Sequence, residues 1–260
     1  MTSTNFDYTT IWKEIIPGFV YDGIARKILQ VLPMNSGTHL EVGIISPTKA
    51  CYVPAHGETP IVISSSKVTV SPFKISEKAQ FSDEAVEDCQ IPKIKQETLK
   101  AIDGIYMQED YDVIRTFLVG AGDEIIFYGD FSGDFPQPML GEDIISAIKL
   151  LESRFLKPTH ILVSPDIAEE MRRRKELEEK LIAFAIEVIV TPHLPSTCII
   201  VLDAKAAGLL IVREEINYIE YTRPQSGLLG VTIYERVSPI ITNSEAIVRI
   251  CNASATPEFL

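Results

Sequence analysis

Little in this sequence can do chemistry. Histidine occurs four times, at His39, His56, His160 and His193, and no two stand at metal-ligand spacing. His160 sits in a strand pattern and reads as a structural histidine. His193 lies between two prolines and reads as a surface residue. The four cysteines, Cys51, Cys89, Cys198 and Cys251, form no Cys-x-x-Cys pair, so zinc and thioredoxin-like readings lack support. They read as buried free thiols, with a disulfide, possible inside some thermophile cells, as the alternative. No Gly-x-Ser-x-Gly elbow appears, so α/β-hydrolase chemistry has no anchor. Gly120-Ala121-Gly122 lies inside a helical pattern and not after a strand, so it fails as a dinucleotide fingerprint. Asp130 and Asp134 resemble part of a calcium loop, but the required glycine and distal glutamate do not follow. A plain turn is the better reading. No cofactor or metal is expected, and no catalytic residue is assigned.

Positive charge is also short. Lys and Arg number 24 against 36 Asp and Glu, a net charge of −12. A surface that grips nucleic acid needs a basic face, so direct specific nucleic-acid binding is not expected. A shell that merely surrounds nucleic acid stays compatible with that charge. The one basic run, Arg172 to Lys175, has Glu169, Glu170, Glu176 and Glu178 around it and reads as a solvated helix face. No apolar run approaches the roughly 20 residues of a membrane span. The opening MTSTNFDYTT lacks a basic-then-apolar signal pattern. A soluble intracellular chain with no membrane partner is the expectation. Asn252-Ala253-Ser254 fits a glycosylation sequon that such a chain would not use.

What is present is ordinary globular material: 46% apolar and 23% charged residues over 260 positions, ample for a core. Residues 1–37 read as an arm. Phe6, Tyr8, Ile11, Trp12, Ile15 and Ile16 precede Pro17-Gly18, and a second apolar segment, Ile24 to Leu32, follows. Too short for a domain, these segments must lie on something else. From Thr38 the period becomes two. Strands are expected at Leu40–Ile44, Ala50–Val53, Ile61–Ile63 and Lys67–Ile75. This excursion is long, polar and has little to bury, so it needs a partner.

Residues 82–103 read as a helix broken at Pro92. Asp110 to Tyr128 reads as the strongest helix, with Val113, Ile114, Phe117, Leu118, Ala121, Ile125 and Ile126 at three- and four-residue spacing. Gly120 and Gly122 weaken it, which suggests close packing there. An α/β pattern follows. Ile144, Ile145, Ile148 and Leu151 give a helix, and Thr159–Val163 a strand. Ser164-Pro165 starts a helix running toward Ala185. Strands are then expected at Glu187–Thr191, Cys198–Leu202, Leu209–Val212, Ile216–Thr222, Leu228–Ser238 and Ala246–Cys251, with a loose tail from Ala253.

The order of these elements resembles the shell proteins of the tailed-phage major capsid and encapsulin superfamily, the Hong Kong ninety-seven fold. The resemblance rests on four groups of residues. Tyr52–Ile75 is similar to the extended loop. Asp123-Glu124-Ile125-Ile126-Phe127-Tyr128-Gly129 is similar to the end of the spine helix. Pro158–Pro165 and Thr191-Pro192 are similar to axial-domain steps. Glu235-Arg236 and Ser244–Ile247 are similar to the closing strands. It implies an α+β, phage major-capsid-like fold. The implied parts are an N-terminal arm (1–37), an extended β loop (38–75), a discontinuous peripheral domain with a long spine helix (76–138 and 221–260), and an α/β axial domain (139–220).

It also implies a structural protein that self-assembles with many identical copies into an icosahedral particle. The favoured form is an encapsulin-like nanocompartment in the cytoplasm around a cargo protein. The chain's length, and a start near the arm without a long scaffolding segment, favour that form. The alternative is a tailed-virus or proviral capsid protein enclosing DNA in a virion, which the long excursion favours. In encapsulins a cargo peptide docks near the N-terminal helix, which carries over to Ile11, Trp12 and Ile15. Neither Lys49 nor Lys67 in the loop is evidence for a lysine–asparagine crosslink. The alternative from another class is an α/β enzyme with a site in 139–220, but no acid, base or nucleophile set converges there.

Overall fold

The computed structural model describes residues 12, 15, 23–45, 65–82, 91–127, 139–173, 175–223 and 228–252. The expected turn at Ser46–Lys49, the strands at Ala50–Val53 and Ile61–Ile63, the loop at Asp130 and Asp134, and the tail lie outside those residues. In chain order the elements are α1 (Ile24–Ile28), β1 (Gln30–Pro33), β2 (Leu40–Ile45), β3 (Ser65–Val70), β4 (Phe73–Ser82), α2 (Ile91–Gly120) and β5 (Asp123–Phe127). Then come α3 (Met139–Ser153), β6 (His160–Val163), α4 (Pro165–Arg173), α5 (Lys175–Ala183), β7 (Glu187–Val190), β8 (Cys198–Leu202) and α6 (Ala204–Ala207). Last are β9 (Gly208–Arg223), β10 (Leu228–Ile241), a 3₁₀ turn (Ser244–Ala246) and β11 (Ile247–Asn252).

Two sheets carry the architecture. One runs β1-β9-β10-β4 and the other β5-β11-β8-β6-β7. The spine helix α2 lies against β4 and β10. Its buried stripe, Ile94, Ala101, Ile102, Ile105, Val113, Ile114 and Phe117, follows the three- and four-residue spacing that puts side chains on one face. The five-stranded sheet is apolar on both faces. Ile161, Val163, Ile199, Val201, Val248 and Ile250 meet α3, α4 and α5 on one side. Leu162, Ile200, Leu202 and Ile247 alternate to the other side and join the core around α2. Strands buried on both faces read as continuous apolar runs, which is why Cys198–Leu202 was plain in the sequence.

Several expectations change. The broken helix over 82–103 and the helix from Asp110 merge into one spine of 30 residues, Ile91–Gly120. Pro92 stands in its first turn, where no helical hydrogen bond needs its nitrogen. That spine stops at Gly120, and Asp123–Phe127 is a strand, not the end of the helix. The Gly122 amide donates to the Ser244 carbonyl at 2.9 Å, and β5 pairs in parallel with β11 from Val248 onward. A side chain at Gly122 would stand 2.6 Å from the Ser244 carbonyl oxygen, so close packing does explain that glycine. Arg249 closes the spine's end by donating to the Leu118 carbonyl at 2.6 Å while pairing with Glu124.

The second arm segment is a single helical turn followed by β1, which adds in parallel to β9. Lys67–Ile75 is two strands, because Ser71-Pro72 separates β3, paired with β2, from β4, paired with β10. Ser82 closes β4, and residues 83–90 lie outside the described residues. The helix running toward Ala185 is two, α4 and α5. Leu209–Val212 and Ile216–Thr222 are one strand, β9. The intervening charges do not break it because neighbours answer them: Glu214 accepts from Tyr234 and pairs with Arg236, and Glu215 pairs with Arg26. The expected cap at Ser164 is present, its Oγ accepting from the Ile167 amide.

Candidate functional site

No described residue group gathers three or more His, Cys, Asp or Glu side chains able to hold a metal. His160 is partly buried, bonded to Thr159 Oγ1 at 2.8 Å and 3.6 Å from Glu187. Burial lowers its pKa, opposed by Glu187. His193 stacks edge-on against Tyr111. These are structural placements.

The features that stand apart from the core are the ribbon, the arm and the lock that holds the arm. Among the described residues the ribbon is a sheet of β2 and β3, antiparallel from Leu40↔Val70 to Ile45↔Ser65. Of those residues the root is buried: Val42, Val70 and Met34 pack with Ile211 of β9 and Ile240 of β10. Beyond the root Val68 is exposed, and an exposed Lys67–Glu41 pair crosses the ribbon. Two strands with one short apolar root are marginal alone.

The arm is tied to the spine by charge. Asp110 of α2 caps α1, accepting from the Ala25 amide at 2.7 Å and the Ile24 amide at 3.2 Å. The Arg26 guanidinium then reaches Glu109 at 3.1 Å, Glu235 of β10 at 3.3 Å and Glu215 of β9 at 2.9 Å, and lies over the Tyr106 ring. Glu109 and Glu235 are both 0% exposed. Burial and the neighbouring Glu109 push Glu235 up to about 9, against the pull of Arg26. Burial also raises Glu109, and Arg26 opposes it. One cation cannot satisfy two buried carboxylates, so the pair holds a proton at neutral pH, on Glu235. Glu235 Oε1 is buried without a hydrogen-bond partner, which further disfavours a charge there.

Of the three arm residues expected to meet cargo, Ile11 lies outside the described residues. Trp12 is 1% exposed, in the core and tilted against Tyr218 at 6.3 Å. Ile15 is partly buried against the same core. Trp12 thus anchors the arm and presents almost no surface of its own.

Sequence reasoning missed the Arg26 lock, because its parts are separated by 83 and 209 positions. It also leaned away from the disulfide. Cys198 and Cys251 face each other across antiparallel β8 and β11 and are bonded, with Cα atoms 4.4 Å apart. Both cysteines are buried, but they are not free thiols.

No protein-family model matches the chain, and no curated protein does. Solved structures match over nearly the whole length. A virus-like particle from Pyrococcus furiosus is 17% identical, with a TM-score of 0.68 over 93% of this chain and 96% of that one. The capsid of the cyanophage P-SCSP1u is 10% identical, with a TM-score of 0.71 over 98% and 97%. The capsid of an empty GTA particle is 13% identical, with a TM-score of 0.66 over 95% and 98%. The chain therefore has the α+β fold of phage major capsid proteins.

Proposed function

We propose that this chain is a structural shell protein that self-assembles from many identical copies into a closed icosahedral particle. The observation that carries the reading is the β2–β3 ribbon. It leaves a chain of capsid fold with only its root packed, and its outer backbone and apolar side chains need a partner. A second copy of the same chain can supply that partner repeatedly in closed symmetry. Many modest contacts then add to a stable particle. The arm (1–37), the extended loop (38–75), the peripheral domain (76–138 and 221–260) and the axial domain (139–220) are the parts we assign. The 220/221 boundary falls inside β9, so the two domains would share that strand.

The favoured form is an encapsulin-like compartment holding a cargo protein in the cytoplasm, with cargo contact at the arm around Ile11, Trp12 and Ile15. Because Trp12 is buried, its share would be to seat the arm, leaving Ile11 and Ile15 to meet cargo. The likeness to a cyanophage capsid supports the second reading, a capsid protein enclosing DNA in a virion. What copurifies separates them: a defined protein in the first case, nuclease-protected DNA in the second.

The test is deletion of Glu41–Ser64. It removes β2 and leaves the two main sheets and α2 intact, so the chain should fold with native circular dichroism. Electron microscopy should find no particles, where the full chain elutes as a megadalton species. Particles at full yield from the deletion would refute the ribbon's role, and a monomeric or dimeric full chain would refute the shell.

A further inference from the structure

Two features beside the five-stranded sheet are unexplained by the ribbon. The first is Phe155, which is 100% exposed. It ends α3 in a left-handed turn, φ 61°, with its amide on the Glu152 carbonyl and the Leu156 amide on the Leu151 carbonyl. Helices usually end this way with glycine, because a Cβ is strained there. A bare phenyl ring at such a position has no folding rationale. The turn sits where β5 starts and β8 ends, since the adjoining Arg154 pairs with Asp123 of β5 and donates to the Glu245 carbonyl, while the Lys157 amide donates to Asp203 just after β8.

The second feature is a cleft of about 300 Å³ beside β7, the opposite edge strand. Met171, Leu181, Ile186, Val188 and Val190 give it apolar walls, and Arg172 also borders it. Val188 and Val190 are exposed although they stand on the face that elsewhere is covered by helices. An apolar cavity of about 150 Å³ already accepts a benzene ring. Ala185, the other non-glycine residue with positive φ among those described, turns the chain so that Ile186 returns onto this cleft.

Knob and cleft lie on the same chain, and the ring, being fully exposed, is not seated in its own chain's cleft. A row of copies can join them. We propose that Phe155 of each subunit seats in the β7 cleft of the next copy, a head-to-tail contact that closes into a ring around a symmetry axis of the particle. This rests on the shell reading. It adds a second intersubunit contact, independent of the ribbon, and commits the cleft to a second copy of this chain.

Phe155→Gly is the informative variant, because glycine favours the left-handed turn. Its melting temperature should equal or exceed that of the unchanged chain, while the concentration needed for assembly rises about tenfold or more, as for loss of a buried aromatic anchor. Val188→Glu should do the same from the cleft side, and the double variant should add little. Particles carrying Phe155→Cys with Val188→Cys should give a ladder of crosslinked multimers on a non-reducing gel, absent from either single variant. If the unchanged chain forms no particle, the shell reading fails and this contact with it. If particles form but both variants assemble normally and no ladder appears, this contact alone is refuted. Loss of a copurifying protein from Val188→Glu particles that keep full yield would give the cleft to cargo and overturn the pairing.

Discussion

Arg26→Met tests how the arm is held. Arginine's stem is kept in outline, while the cation between two fully buried carboxyls is removed. Breaking a buried ion pair from one side costs about 3–5 kcal/mol, because a bare charge is left behind. Here only Glu109 is left bare, since Glu235 already carries a proton, so the low end, about 3 kcal/mol, is expected near pH 7. At pH 5 Glu109 takes up a proton more readily and the loss should shrink. Glu235→Gln is the matched control. The amide mimics the protonated carboxyl, so stability below about pH 4.5 should change by less than about 1 kcal/mol, and by pH 7, where the unfolded glutamate has released its proton, the variant should be the more stable by as much as about 3 kcal/mol.

The pH dependence has a definite sign. The folded pKa of Glu235, about 9, lies above its ordinary value of 4.5. Folding therefore retains a proton that the unfolded chain releases. Its contribution is full below pH 4.5 and is lost progressively as pH rises to about 9, by at most about 1.4 kcal/mol per pH unit. Glu235→Gln should flatten that slope. Urea unfolding at pH 5, 7 and 9 is the assay, read by the emission of Trp12, the chain's single tryptophan, which lies buried on the arm itself. An Arg26→Met chain as stable as the parent at pH 7 would refute the lock. So would a Glu235→Gln chain with an unchanged pH slope.

Gly122→Ala should destabilise the chain by about 1–3 kcal/mol, because its methyl group meets the backbone carbonyl of Ser244, which cannot swing aside. Thermal melts would detect it, and an unchanged melting temperature would show that the spine and β5 can part without cost. Reduction of Cys198–Cys251, with 53 positions between the cysteines, should remove about 2–4 kcal/mol by freeing the unfolded chain. Chemical denaturation with and without reductant measures that directly, and coincident curves would contradict it.

The core strands and the cap at Ser164 were legible because they follow from local rules. Leu162 and Ile200 sit in runs apolar at every position, and Ser164-Pro165 is a helix start in its own chemistry. The end of the spine was not legible. Ile125 and Ile126 continue the helical spacing of Phe117 and Leu118, so periodicity extends the helix past its true end. What stops it is a tertiary contact, the Gly122 amide on Ser244 and the pairing of β5 with β11. Arg26, Asp110 and Glu235 could not be joined from the sequence for the same reason. Their meaning comes from two helices and a sheet meeting. Cys198 and Cys251 pair because β8 and β11 are in register, and register between distant strands is not written in either one. The strands of the ribbon, β2 and β3, were legible as alternation with a period of two.

The position of β11 also sets a timetable. In the five-stranded sheet β5 has β11 as its strand partner, and β11 lies between β5 and β8. On the ribosome β5 is made first and β11 last of the five. At usual translation speeds β5 then waits on the order of ten seconds with an open edge. Two acidic residues, Asp123 and Glu124, stand at the head of that waiting strand, where charge discourages pairing with a neighbouring nascent chain. The sheet closes only when β11 has emerged.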